Sequence, residues 1–216
     1  MALLTALDID EESSVWRDLG FEVSDTAVWV SGVAHRLAAS PTAPDGPTPL
    51  AGPSVRSWSL WGVTAPSGPR DVDGLPTVVV DDPAEDPGAP AHPNGVTGLD
   101  HLVVSTPDLD RTLAALDGIG LQLLRVRETP SVRQGFYRLG PVILEVVGGA
   151  QPSGDGPARF LGLAWTCADL DATAAWLGSR LHPAKDAVQE GRRIATLDKA
   201  AGSRVSMAFM SPARAR

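Results

Sequence analysis

The chain has a single cysteine, Cys167, in 216 residues. No intramolecular disulfide can form, which points to a fold closed by packing alone and to a reducing compartment. Positive charge is also scarce. Eighteen lysines and arginines stand against 26 acids, a formal charge of −8, with a pI near 4.9. A groove for nucleic acid is not expected from such a balance. No apolar run approaches the length of a membrane span. The N-terminus meets Asp8 without a basic segment before it, so no signal peptide is expected. A Ser-His-Asp order and the glycine loop of a phosphate site are missing too. Together these absences imply a cytoplasmic protein whose partners are neither nucleic acid nor membrane. The acids gather at 8–12 and 81–86, as solvated caps and linker do.

What is present is a repeated grammar. From Gly98 an apolar strand carries His101, and Thr106-Pro107 turns into Asp108, a good N-cap. A helix follows with Leu109, Leu113 and Leu116 on one face, closed by Gly118 and Gly120. Some forty residues after His101, the strand Val142 to Val147 carries Glu145 in an apolar run. The pattern returns at Arg159 to Leu181 and closes with strands over 192–197 and 204–210. Asp108-Leu109-Asp110 and Asp169-Leu170-Asp171 lie 61 residues apart, the period of a duplicated βαβββ unit. Residues 1–37 repeat the grammar more weakly: Asp8-Ile9-Asp10 stands for the turn, Gly20 for Gly120, and a hairpin turns at Ser31-Gly32. Strands over 55–63 and 77–80, with Asp71-Val72-Asp73 as a remnant turn whose helix is lost, suggest a truncated unit partnering the first.

The paired units, with His101 in a first strand and Glu145 in a last one, resemble the vicinal-oxygen-chelate superfamily of glyoxalase I, bleomycin-resistance proteins and extradiol dioxygenases. The resemblance covers residues 98–211. It implies an α+β fold in which paired βαβββ modules form one curved-sheet cradle, here preceded by a degenerate N-terminal module pair over 1–80. The Pro-rich acidic stretch 81–97 reads as the linker between them, His92 included, and 98–211 is expected to fold alone. The resemblance further implies a divalent metal (Zn, Ni, Mn or Fe) held by His101 and Glu145. Glu145 would be the catalytic group of a lyase, isomerase or dioxygenase acting on a small oxygenated substrate.

Strand parity places His101, Val103 and Ser105 on one face, and Ile143, Glu145 and Val147 on another that matches it. A two-residue turn at Gly140-Pro141 sets Phe136 opposite Glu145, so Gln134, Phe136 and Arg138 line the substrate pocket. A carboxylate in the middle of an apolar strand is costly to bury unless paired or bound to a cation. The plainer alternative is that His101 and Glu145 bond each other, or that Glu145 pairs with Arg138. The second unit offers no ligands: aligned on the Asp-Leu-Asp turns His101 corresponds to Gly162, and aligned on Gly140 and Gly202 Glu145 corresponds to Met207. Gly162, Ala164, Thr166, Val205, Met207 and Phe209 would then make a small apolar half-cradle, with Met207 against the substrate. A homodimer could complete the metal set, as could His35. Otherwise the cradle is a non-catalytic small-molecule binder of the antibiotic-sequestering type. Arg192-Arg193 could hold a carboxylate but read first as a solvated edge, Trp165 reads as packing beneath the helix carrying Trp176, and Cys167 as no nucleophile.

Overall fold

The computed structural model describes residues 1–38, 54–83, 88 and 91–213. Most of the loop expected over 38–53, and 84–87 and 89–90 of the linker, lie outside them. The remainder is α+β, two sheets each made from a pair of modules.

The larger sheet is built by two βαβββ modules. The first is β7 (Val96–Ser105), α2 (Leu109–Gly118), β8 (Leu123–Glu128), β9 (Val132–Leu139) and β10 (Val142–Gly149). The second is β11 (Arg159–Cys167), α3 (Leu170–Leu177), β12 (Lys185–Asp186), β13 (Arg193–Thr196) and β14 (Ser206–Met210). Strand order is β12-β13-β14-β11-β7-β10-β9-β8, with the two first strands β7 and β11 antiparallel at the centre. In each module the last strand returns parallel to the first. Both helices start where the Asp-Leu-Asp motifs predict. The Asp108 carboxylate accepts from Arg111 N at 3.1 Å, and that of Asp169 from Asp171 N and Ala172 N at 2.9 and 3.1 Å. The sheet is open and curved, the paired-module fold that the resemblance implies.

The smaller sheet repeats this plan with fewer parts. Its strands are β1 (Leu3–Ile9), β2 (Ala27–Val30), β3 (Val33–Leu37), β4 (Val55–Trp61), β5 (Gly68–Val72) and β6 (Leu75–Val79), with one helix, α1 (Ser13–Asp18). The order is β2-β3-β1-β4-β6-β5, with β1 parallel to β3 and antiparallel to β4. Among the described residues each module has one strand fewer, and the second has no helix. Gly20 and Gly120 are equivalent: both take positive φ (78° and 88°), and the residue after each bonds back to Trp16 or Leu116. The motifs upstream are not equivalent. Asp8 and Ile9 belong to β1, and α1 begins only at Ser13. No helix follows Asp71-Val72-Asp73, the remnant turn. It ends β5, and Asp73-Gly74, both at positive φ, turn into β6.

Alternation along the strands gives the larger sheet one apolar face, and the smaller sheet packs there beside α2 and α3. Trp165 is fully buried. Its ring meets Trp16 (5.8 Å, edge-on), Phe21 (5.1 Å) and His35 (5.0 Å), and Trp58 meets Phe160 at 5.6 Å. The apolar core is one cluster running through both sheets. Polar ties cross as well. Buried Glu11 accepts from Trp16 Nε1 (2.7 Å), Ser203 Oγ (2.9 Å) and the amide of Arg204, and Asp73 pairs with Arg111 (2.7 Å) and bonds Thr112. His92 is not a passive linker residue. It is buried, its Nδ1 accepts from Glu22 N at 3.0 Å, and its Nε2 lies 3.1 Å from Trp29 O.

Candidate functional site

With one face of the larger sheet covered, its other face is left as the cradle, and strand register orders its side chains in rows. One row runs Thr196, Ala208, Ala164, His101, Ile143, Arg138. The next runs Ser206, Gly162, Val103, Glu145, Phe136, Arg125, and a third Arg159, Ser105, Val147, Gln134, Arg127. His101 and Glu145 therefore share the face on adjacent strands but stand one row apart, a diagonal of roughly 7–8 Å between backbones. The turn at Gly140-Pro141 sets Leu139 against Val142 and Phe136 against Glu145. Gln134, Phe136 and Arg138 stand on this face.

Neither polar residue bonds the other. The Glu145 carboxylate accepts a short hydrogen bond from the Gln134 amide. The acid paired with His101 is Asp100, its neighbour in the chain. Nδ1 lies 2.6 Å from Asp100 Oδ1, while Oδ2 accepts from Arg192 at 2.7 Å and from Thr166 Oγ1 at 2.8 Å. Strict alternation would point Asp100 away from His101. A bulge prevents this: β7 spends an extra residue between the pairs His101–Ala164 and Leu99–Trp165, so both side chains serve one side. Burial works against the charge on Asp100, but hydrogen bonds from His101, Arg192 and Thr166 outweigh it and hold its carboxyl well below the usual carboxylate range. With Nδ1–H donated to Asp100, a neutral His101 ring presents Nε2 as an acceptor, and Nε2 has no partner among the described residues.

Asp100 escapes sequence reading, and Arg192 holds its carboxylate where a solvated edge is the first expectation. Arg192 is not on a solvated edge; it is buried, and its Nε also donates to Ser211 O at 2.9 Å. The available signal was Asp100 itself, an acid at helix-face parity in an apolar strand, which demands either a partner or a bulge.

Met207 needs correction. It pairs with Leu163, which pairs with Leu102, so all three belong to the covered face, and Met207 is 3% exposed. Val205 and Phe209 are core for the same reason. The second half of the cradle is instead lined by Gly162, Ala164, Ser206, Ala208 and Met210, and the counterpart of Glu145 is Ala208. Gly162 cannot be enlarged cheaply, since an added Cβ would lie 2.5 Å from Ser206 O.

A divalent metal does not fit this donor set. Only His101 Nε2 and Glu145 could ligate it, Glu145 is engaged by Gln134, and the symmetric positions carry glycine and alanine, so two donors would leave the ion mostly hydrated. No group of three or more potential ligands occurs among the described residues. His35 adds none, being fully buried in the core against Trp16 and Trp165. A depression of about 330 Å³ bounded by Asp110, Glu128 and Arg133 lies away from the cradle and holds exposed ion pairs. No helix is long and apolar enough to cross a membrane, among the described residues.

No protein-family profile matches the chain, and no curated protein matches it. Similar solved structures exist. Methylmalonyl-CoA epimerase from Mycobacterium tuberculosis is 22% identical, with a TM-score of 0.46, over 56% of this chain and 91% of that one. A hypothetical protein from Bacillus halodurans is 15% identical (TM-score 0.45; 55% and 96%). Streptomyces coelicolor methylmalonyl-CoA epimerase is 20% identical (0.45; 55% and 99%).

Proposed function

We propose that the protein binds a small oxygenated molecule in the cradle and recognises it through His101 and Glu145 without a resident metal. One observation carries this reading: the polar groups of the first module share the open face and its rows with Gly162 and Ala208 of the second. Such a site has a hydrogen-bonding half and a half small enough to accept the body of a ligand. His101 Nε2 accepts a hydroxyl or amide hydrogen there. Glu145, oriented by Gln134, accepts another. The test is a titration of chelator-treated protein with nickel and with manganese. Wild type and His101→Ala should give the same weak, unsaturated heats. Stoichiometric binding that His101→Ala abolishes would restore the metal reading.

The Asp100–His101 pair favours a second reading, an isomerase that moves a proton. A carboxylate that holds one imidazole nitrogen fixes the tautomer and leaves the other nitrogen as the acceptor. His101 Nε2 would take a proton from carbon next to a carbonyl, leaving an enolate, and return a proton to that carbon. Exchange of the α-proton of methylmalonyl-CoA in deuterated water, lost in His101→Gln, would establish this reading over simple binding.

A further inference from the structure

Although the chain is strongly acidic, the cradle is not. All three rows of side chains end on the β8–β9 side in an arginine: Arg138, Arg125 and Arg127. The third row has Arg159 at its other end. These four have no hydrogen-bond or ion-pair partner among the described residues; Arg125 lies over the Phe136 ring, 4.8 Å from its centroid. Every other described arginine is held. Arg36, Arg111, Arg133 and Arg193 take surface carboxylates, for instance, whereas Arg17, Arg70 and Arg180 donate to backbone carbonyls. The unpartnered arginines are thus confined to one face among the described residues. Its own acids do not cancel them: Asp100 is matched by Arg192 and His101, which leaves Glu145 alone against four charges. Between the arginines the floor is apolar, with Val103, Ile143 and Val147 half-buried and Phe136 8% exposed.

We propose that the ligand of this face is an anionic small molecule with an apolar body, its charged groups taken by Arg125, Arg127, Arg138 and Arg159. The inference rests on the cradle being a ligand site and adds the ligand's charge. Guanidinium groups match carboxylate and phosphate oxygens in paired hydrogen bonds. An array of them raises the local concentration of anions around a protein that otherwise repels them. Each end of the third row offers a cation, so a ligand charged at both ends can span the floor.

Two naphthalene probes separate charge from shape. 8-Anilinonaphthalene-1-sulfonate carries one sulfonate, and N-phenyl-1-naphthylamine is its neutral counterpart. Wild type should bind both saturably, the anion more tightly, with the difference shrinking at high salt. Arg125→Ala/Arg127→Ala and Arg138→Ala/Arg159→Ala should each weaken the anion about tenfold. They should leave the neutral probe within about twofold and the melting temperature unchanged, because these side chains are exposed. Arg17→Ala/Arg36→Ala, which removes the same two charges from the N-terminal half, away from the cradle, should change neither probe. The proposal is overturned if the arginine variants bind the anion as wild type does, or lose both probes equally. If neither probe binds wild type, the cradle reading fails and takes this one with it.

Discussion

His101 donates its Nδ1 hydrogen to Asp100, the residue immediately before it, across 2.6 Å. Neighbours on a strand reach each other this way only because the bulge in β7 turns Asp100 toward the same side. The arrangement joins the pair to the fold, since Asp100 also carries buried Arg192.

Asp100→Asn leaves Arg192 charged and unpaired while keeping the shape. Breaking a partly buried ion pair from one side costs about 2–4 kcal/mol. The loss should appear in the denaturant midpoint. Asp100→Asn/Arg192→Leu should recover much of it, since no lone charge remains. Equal stability of wild type and Asp100→Asn would show that the pair is solvated.

His35 makes stability depend on pH. It is fully buried, and desolvation pushes its pKa down to about 4 from the ordinary 6.5, against hydrogen bonds to Val28 and Val33. The unfolded chain therefore takes up the proton first. The stabilisation is complete above about pH 6.5 and is lost as pH falls from there toward 4. By pH 5 the loss should be about 2 kcal/mol. His92, also lowered by burial, adds in the same direction. Urea unfolding of His35→Leu between pH 7 and 5 should show a shallower slope than wild type; an unchanged slope would assign the effect elsewhere.

A chain beginning at Pro93 should not fold tightly, although the sequence suggests a boundary there. It would lose Trp16, Phe21 and His35 from around Trp165, and Trp58 from Phe160. Exposing an indole of roughly 150–250 Å² forfeits about 4–6 kcal/mol, and Ser203 and Arg204 would lose Glu11 as well. Near-ultraviolet circular dichroism should be flat where the full chain shows ordered tryptophan signals. A cooperative, sharply melting fragment would contradict this.

The two neighbours Met207 and Ala208 should respond oppositely to a carboxylate. Met207→Glu buries a charge in the core and should cost several kcal/mol. Ala208→Glu places it on the open face, at the counterpart of Glu145, and should cost under about 1 kcal/mol. The same change should create saturable nickel binding with His101 and Glu145. Reversed stabilities would mean that the register of β14 is wrong.

That register shows where sequence reading stopped. Parity in the first module was legible because a two-residue turn at Gly140-Pro141 fixes which residues pair, and with it the placement of Gln134, Phe136 and Arg138. In the second module the turn is longer. A short helical turn at Lys199–Ala201 and a bend through Ser203 precede β14, so aligning Gly202 with Gly140 was wrong by one residue. One residue moves every side chain to the other face, which is how Met207 was exchanged for Ala208. The bulge at Asp100 is likewise silent in composition. His92 was misread because its prolines suggest a linker, whereas its partners Glu22 and Trp29 are some 60–70 residues away.

The central claim, that the open face of the larger sheet holds a small molecule, is tested most directly by titrating N-phenyl-1-naphthylamine into wild type and Val103→Arg. Val103 lies in the middle of the floor, in the row of Glu145, and a long side chain there fills the space without entering the core. One saturable site in wild type, lost in Val103→Arg with the melting temperature preserved, is the predicted result. Equal binding by the two proteins would place the ligand elsewhere and contradict the account.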